Sequence, residues 1–98
     1  MYGTIARLRA KPGAHEQLMD VGSQEPVRRV PGFVAQYVYR SDVDPNEYWL
    51  AVVFESKDAY LANAASAAQD TSYQRLRVFL ADDPEWHDGE IVSAFEAI

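Results

Sequence analysis

At 98 residues, with a formal net charge of −6 and no cysteine, the chain has room for one small hydrophobic core and no covalent staple to support it. Its basic residues are scattered apart from the Arg28 and Arg29 pair, which excludes the basic face that nucleic acid or an anionic membrane requires. Without thiols there is no disulfide framework, thiolate metal site or cysteine nucleophile; without a signal-like start or an apolar window of membrane-spanning length, the expectation is a soluble cytoplasmic protein forming a single domain over 1–98.

The opening stretch "YGTIARLRA" mixes β-branched and apolar residues and ends at Lys11-Pro12-Gly13, which reads as a strand followed by a breaker. From Ala14 the pattern becomes helical, with Glu16 in the first turn and Leu18, Met19 and Val21 near helical spacing. Pro26 removes a backbone donor and predicts the end of that helix, with "VRRVPG" leading out. "FVAQYVYR" (33–40) and "YWLAVVFE" (48–55) are strand-like, and the turn formers of "SDVDPNE" join them into a hairpin. Ser56 is then an N-cap for the alanine-rich "KDAYLANAASAA", and Thr71 with Gln74 matches a capping box for a last helix. Asp82-Asp83-Pro84 stops that helix, Asp88-Gly89 reads as a turn, and "EIVSAF" (90–95) as a final strand.

The order is β-α-β-β-α-β, so the fold class is α+β, ferredoxin-like, with helices on one face of an antiparallel sheet. If the hairpin turn occupies 43–46, Asp42 opposes Glu47, and Phe33, Ala35, Tyr37 and Tyr39 share a face with Leu50, Val52 and Phe54. The other face carries Val34, Gln36, Val38, Trp49, Ala51 and Val53, and is also mostly apolar. A sheet covered on one side alternates between apolar and polar. This one does not, and the second apolar face predicts a homodimer in which two sheets pack face to face, with Trp49 at the interface.

"PGF", "YVYRSDVDPNEYW" and "FESKDAY", in that order, resemble the antibiotic biosynthesis monooxygenase (ABM) family of dimeric α/β-barrel proteins, and the likeness runs over nearly the whole chain. It implies the dimeric barrel and, among the activities of that superfamily, cofactor-free oxygenation or isomerisation of an electron-rich aromatic or quinone-like compound. The chain departs from the family at several positions. Anthrone-oxidising members carry an Asn and a Trp four apart on the third strand, where Leu50 and Phe54 stand here. Their helical Tyr resembles Tyr60, and their Arg falls near Arg75 or Arg77. Haem-degrading members use an Asn, Trp and His set that is not reproduced: Thr4 stands near the Asn position, Asn63 where the Trp is expected, and no histidine lies between 16 and 86.

The candidate catalytic residues are Asn63, Arg75 and His87, and the candidate substrate-binding residues are Tyr37, Phe54 and Tyr60. Asn63 follows Tyr60 on a face otherwise made of Ala64 and Ala67; its amide could hold a phenolate or enolate oxygen, or be a locally bonded helix-end Asn. Tyr37, Phe54 and Tyr60 could line an apolar cavity for a small aromatic ligand, or simply pack as core. Arg75 is singled out by the family resemblance. His87, in "PEWHDGE", has the unperturbed pKa of a base near neutral pH, against a placement at the mouth of the last strand. His15 reads as a neutral surface imidazole at a helix start. No local metal-ligand spacing such as HxxxH exists, so neither a metal nor another cofactor is expected.

Overall fold

A computed structural model of the protein describes residues 1–24 and 30–97; the expected break at Pro26 and the Arg28 and Arg29 pair lie outside the described residues. The elements are β1 (Tyr2–Arg9), α1 (His15–Gln24), β2 (Phe33–Arg40), β3 (Glu47–Phe54), α2 (Lys57–Ala64), α3 (Ala67–Arg77) and β4 (Glu85–Glu90). The four strands form one antiparallel sheet in the order β2-β3-β1-β4, and the helices cover one face of it. This is the α+β, ferredoxin-like arrangement expected, with its second helical segment divided in two.

Each helix start has a local cause. Ser56 accepts from the Ala59 amide at 3.1 Å and caps α2, as the sequence predicts. The cap of α3, however, is Ser66, whose hydroxyl accepts from the Gln69 amide at 3.1 Å. Thr71 lies inside α3 and bonds back to the Ala67 carbonyl, so the capping box expected at Thr71 is replaced by the equivalent Ser66/Gln69 spacing five residues earlier. Gly32 explains the "PGF" stretch. It sits at φ +77°, and a Cβ there would come within 2.5 Å of the Ala59 Cβ, so only glycine lets the chain enter β2 this close to α2.

The hairpin register corrects the expected one. Ser41, not Asp42, pairs with Glu47 through its amide, and residues 42–46 form the loop. Ser41 Oγ accepts from the Val43 and Asp44 amides, and Asp44 Oδ1 from the Asn46 amide, which fixes this longer turn. Opposite Leu50 therefore stands Val38, opposite Ala51 stands Tyr37, and opposite Trp49 stands Tyr39. A one-residue slip exchanges the two faces of a strand. Val38 and Gln36 consequently face the helices, while Tyr37 and Tyr39 turn outward. An irregularity between Phe33 and Ala35 returns Phe33 to the inner face, opposite Phe54.

The packed core lies at one end of the sheet: Ala6, Leu8, Ala10, Leu18, Tyr48 and Leu80, joined by Met19, Leu50, Leu76 and Phe79. The chain leaving α3 is tied down there, Lys11 donating to the Phe79 carbonyl and Ala81 to that of Arg9. The outer face carries Ile5, Tyr37, Tyr39 and Trp49, all exposed. At its rim Arg7 donates from Nε and Nη2 to Glu47 Oε2 at 2.8 and 2.6 Å, and Trp49 Nε1 donates to Glu47 Oε1 at 3.2 Å. The Arg7 bond, more than any other influence, holds the Glu47 carboxyl below the ordinary glutamate range.

β4 also differs from expectation. It runs from Glu85 to Glu90, so Asp88-Gly89 is strand rather than turn. The predicted strand at 90–95 is overturned: past Glu90 the chain to residue 97 has no regular structure, and Val92 and Phe95 are exposed. Antiparallel pairing of Tyr2 with Glu90 through Arg7 with Glu85 supplies the backbone bonds and overrides the low strand propensity of Asp and Gly.

Candidate active site

Past the packed core, the inner face of the sheet and the helices diverge around a cavity of about 550 Å³. Its sheet wall is built from Phe33, Val38, Leu50, Val52 and Phe54, and its helical wall from Tyr60, Ala64, Ala68, Tyr73 and Leu76. Alanines at 64 and 68 leave the room that larger side chains would fill. The aromatic rings pack edge to face: Phe54 meets Phe33 at 5.8 Å and Tyr60 at 5.6 Å between centroids. The volume and the apolar, aromatic walls suit one small ring system.

Polar groups concentrate at two places. At one end, Thr4 of β1, Tyr60 of α2 and Asp88 of β4 converge on the cavity. The Tyr60 hydroxyl donates to Asp88 Oδ1 at 2.8 Å. Burial, followed by that hydrogen bond, pushes the Tyr60 phenol up to about 12, the Thr4 hydroxyl acting in the opposite sense. Thr4 is only 5% exposed, and its hydroxyl lies beside the Tyr60 phenol without a hydrogen bond of ordinary length and angle among the described residues. In the helical wall, Asn63 Nδ2 donates to Gln69 Oε1 at 3.3 Å, bridging α2 and α3 beside the cavity.

Of the six residues singled out from sequence, Phe54, Tyr60 and Asn63 come together in this cavity. The other three lie elsewhere. Tyr37 is on the outer face, 60% exposed, because of the register slip. Arg75 projects from the exposed side of α3 and is not part of the lining. His87 pairs with Ile5 on the outer face, where its Nε2 is 3.1 Å from Glu85 Oε1. His15 contacts the hydroxyl of the buried Tyr48 through Nδ1, away from the cavity. Among the described residues no group of three or more His, Asp or Glu side chains could hold a metal ion.

Besides Gln36 and Val38, which the register brings inward, Trp86 and Asp88 are cavity residues that escape the sequence reading. They flank His87, which drew attention as the ionisable ring of "PEWHDGE", yet strand alternation sends His87 outward and its neighbours inward. The signal that finds them is this period of two, provided the segment is taken as a strand.

The four-stranded antiparallel sheet with helices on one face defines an α+β, ferredoxin-like domain, and sequence comparison narrows the class. The family profile described as "Antibiotic biosynthesis monooxygenase" (ABM) matches residues 1–74, and the chain belongs to that family. Among solved structures, it is similar to a point mutant of SnoaB, a cofactor-independent oxygenase from Streptomyces nogalater, with a TM-score of 0.84 at 19% identity over 98% of this chain and 97% of that one. A proposed antibiotic biosynthesis monooxygenase from Bordetella bronchiseptica superposes with a TM-score of 0.82 at 22% identity, covering 94% of this chain and 97% of that one. Another from Nitrosomonas europaea gives 0.80 at 19% identity, covering 95% and 100% respectively. No curated protein sequence matches the chain. No helix among the described residues is long and apolar enough to cross a membrane.

Proposed function

We propose that the protein is a homodimeric monooxygenase that oxygenates a small electron-rich aromatic or quinone-like molecule without a cofactor. The observation that carries this reading is the aromatic-walled cavity of about 550 Å³ on the inner face, in a chain of the ABM family. The substrate supplies the electrons. Once deprotonated, it passes an electron to dioxygen, the two radicals combine at an activated methylene, and loss of water leaves a carbonyl; a CH₂ group and O₂ become C=O and H₂O. The protein's part is to bind the ring between Phe54 and Tyr60, to exclude water, and to stabilise the developing oxyanion with donors such as the Asn63 amide.

The dimer in this proposal forms through the outer face. Ile5, Tyr37, Tyr39 and Trp49 present a continuous apolar surface on the side of the sheet away from the helices. The purified, metal-free protein is expected to consume oxygen with 1,8-dihydroxyanthrone, and Asn63→Ala to slow it. No uptake with anthrones or hydroquinones refutes the oxygenase reading, and an unchanged Asn63→Ala rate removes that residue's role.

A second reading has its own support. Leu50, Val52 and Phe54, the β3 residues facing the cavity, contain no hydrogen-bonding side chain, as suits a dimeric module that binds a small apolar ligand without transforming it. Saturable anthrone binding with no oxygen uptake favours that reading.

A further inference from the structure

One cross-strand row on the inner face of the sheet is polar at both ends. Asp88 of β4, Thr4 of β1, Val52 of β3 and Gln36 of β2 stand opposite one another in that order, and all four line the cavity. At the β4 end Asp88 accepts from Tyr60 beside Thr4, so the polar groups there serve one another. The β2 end is different. Of the residues by which β2 and β3 line the cavity, Gln36 alone has a hydrogen-bonding side chain; Val52 lies opposite it and Val38 follows it on the same face. The amides of the helical wall, Asn63 and Gln69, bond to each other, whereas the Gln36 amide bonds to no side chain among the described residues. The one-residue slip of the hairpin is what turns this polar residue inward, onto a face that is otherwise apolar along β2 and β3.

We propose that Gln36 is a specificity-determining residue, its amide taking a second oxygen of the ligand at the end of the ring system opposite Thr4. Neighbouring strands lie about 4.8 Å apart, so Thr4 and Gln36, two strands distant, are separated by about 10 Å with Val52 as the apolar floor between them. That spacing accepts at least two fused rings lying on Val52 with an oxygen at each end. A single benzene ring does not reach both groups, and a hydrocarbon end leaves the Gln36 amide to water. A glutamine side chain both donates and accepts, so the second oxygen is a hydroxyl or a quinone-type carbonyl. Thr4 is buried while Gln36 is exposed at the β2 edge, so an unpaired ligand oxygen costs more at the Thr4 end, and a ligand with one oxygen places it there. The inference rests on the proposed function only for the cavity as the binding site of an aromatic ring system; it requires no oxygenation.

The test compares wild type with Gln36→Met, which keeps the length and volume of the side chain and removes only its amide. Both proteins are titrated calorimetrically at neutral pH with 2,6-dihydroxynaphthalene, which carries an oxygen at each end, and with 2-naphthol, which carries one. Wild type is expected to bind the diol about fivefold more tightly, the gain of one hydrogen bond of ordinary net strength. Gln36→Met is expected to bind 2-naphthol as wild type does and to lose the preference for the diol, a change in selectivity that a merely structural role of Gln36 would not produce. A wild type without the preference, or a variant that keeps it, overturns the role of Gln36 and leaves the cavity standing as a ring-binding site. Binding of neither compound to wild type overturns both. If the variant binds neither, the side-chain amide resonances of Gln36 in wild type decide: a shift with the diol and not with 2-naphthol supports the assignment, and the same response to both overturns it.

Discussion

Tyr37→Ala is the most informative perturbation of the proposed dimer, because the register places this ring on the outer face rather than in the cavity. Tyr37 is 60% exposed in the isolated chain. An aromatic side chain presents about 200 Å², so about 120 Å² is left for a partner to cover. At about 25 cal/mol per Å² that is about 3 kcal/mol, reduced to about 2 because alanine keeps part of the contact. Two-fold symmetry repeats the loss on both protomers, giving about 4 kcal/mol, or about a thousandfold in the dimer dissociation constant. Sedimentation equilibrium over a dilution series reads this directly, and an unchanged melting temperature of the monomer shows that the side chain is not core. A wild-type monomer at micromolar concentration, or a Tyr37→Ala protein with wild-type affinity, refutes the interface.

Gly32→Ala combines a left-handed backbone with a Cβ placed 2.5 Å from that of Ala59. The expected loss is about 2–4 kcal/mol by denaturant titration, and wild-type stability contradicts the close approach of β2 and α2. Tyr60 holds its proton more tightly when folded, at about 12 against about 10 unfolded, so its contribution is fully present below about pH 10 and lost as pH rises toward 12. Ultraviolet titration of tyrosinate in Tyr60→Phe should lack the highest step, and its stability should fall less than the wild type's over that window. If both proteins titrate alike, Tyr60 is not held against Asp88 in the way the structure shows.

The element order was legible because β1, β2, β3 and the starts of α1 and α2 announce themselves locally, through β-branched and aromatic runs, the Ser56 cap and the breakers at Pro12 and Gly13, whereas the last strand was expected in the right place in the order but at the wrong residues. What was not legible depends on pairing. A single residue in the 42–46 loop decided which hairpin face meets the helices, and Ser41 makes that choice by bonding two loop amides. The slip moved Tyr37 out of the cavity, while the irregularity after Phe33 kept that ring inside, and no local pattern distinguishes the two. In β4, Asp88 and Gly89 carry turn propensity, and only the partner strand β1 makes them extended. Asp88, which accepts from Tyr60 at the polar end of the cavity, was therefore hidden by a correct propensity that tertiary pairing overrides. Tyr60, Asn63 and Phe54 were legible because helical spacing and strand position fix them without reference to a distant partner.

The central claim is that the inner-face cavity oxygenates an aromatic substrate without a cofactor, and labelled dioxygen tests it most directly. Metal-free protein is incubated with 1,8-dihydroxyanthrone under isotopically labelled O₂, and the product is weighed by mass spectrometry. The account predicts one labelled oxygen in each molecule of quinone product and the other in water. Release of hydrogen peroxide with an unlabelled product, or no oxygen consumption at all, would contradict it.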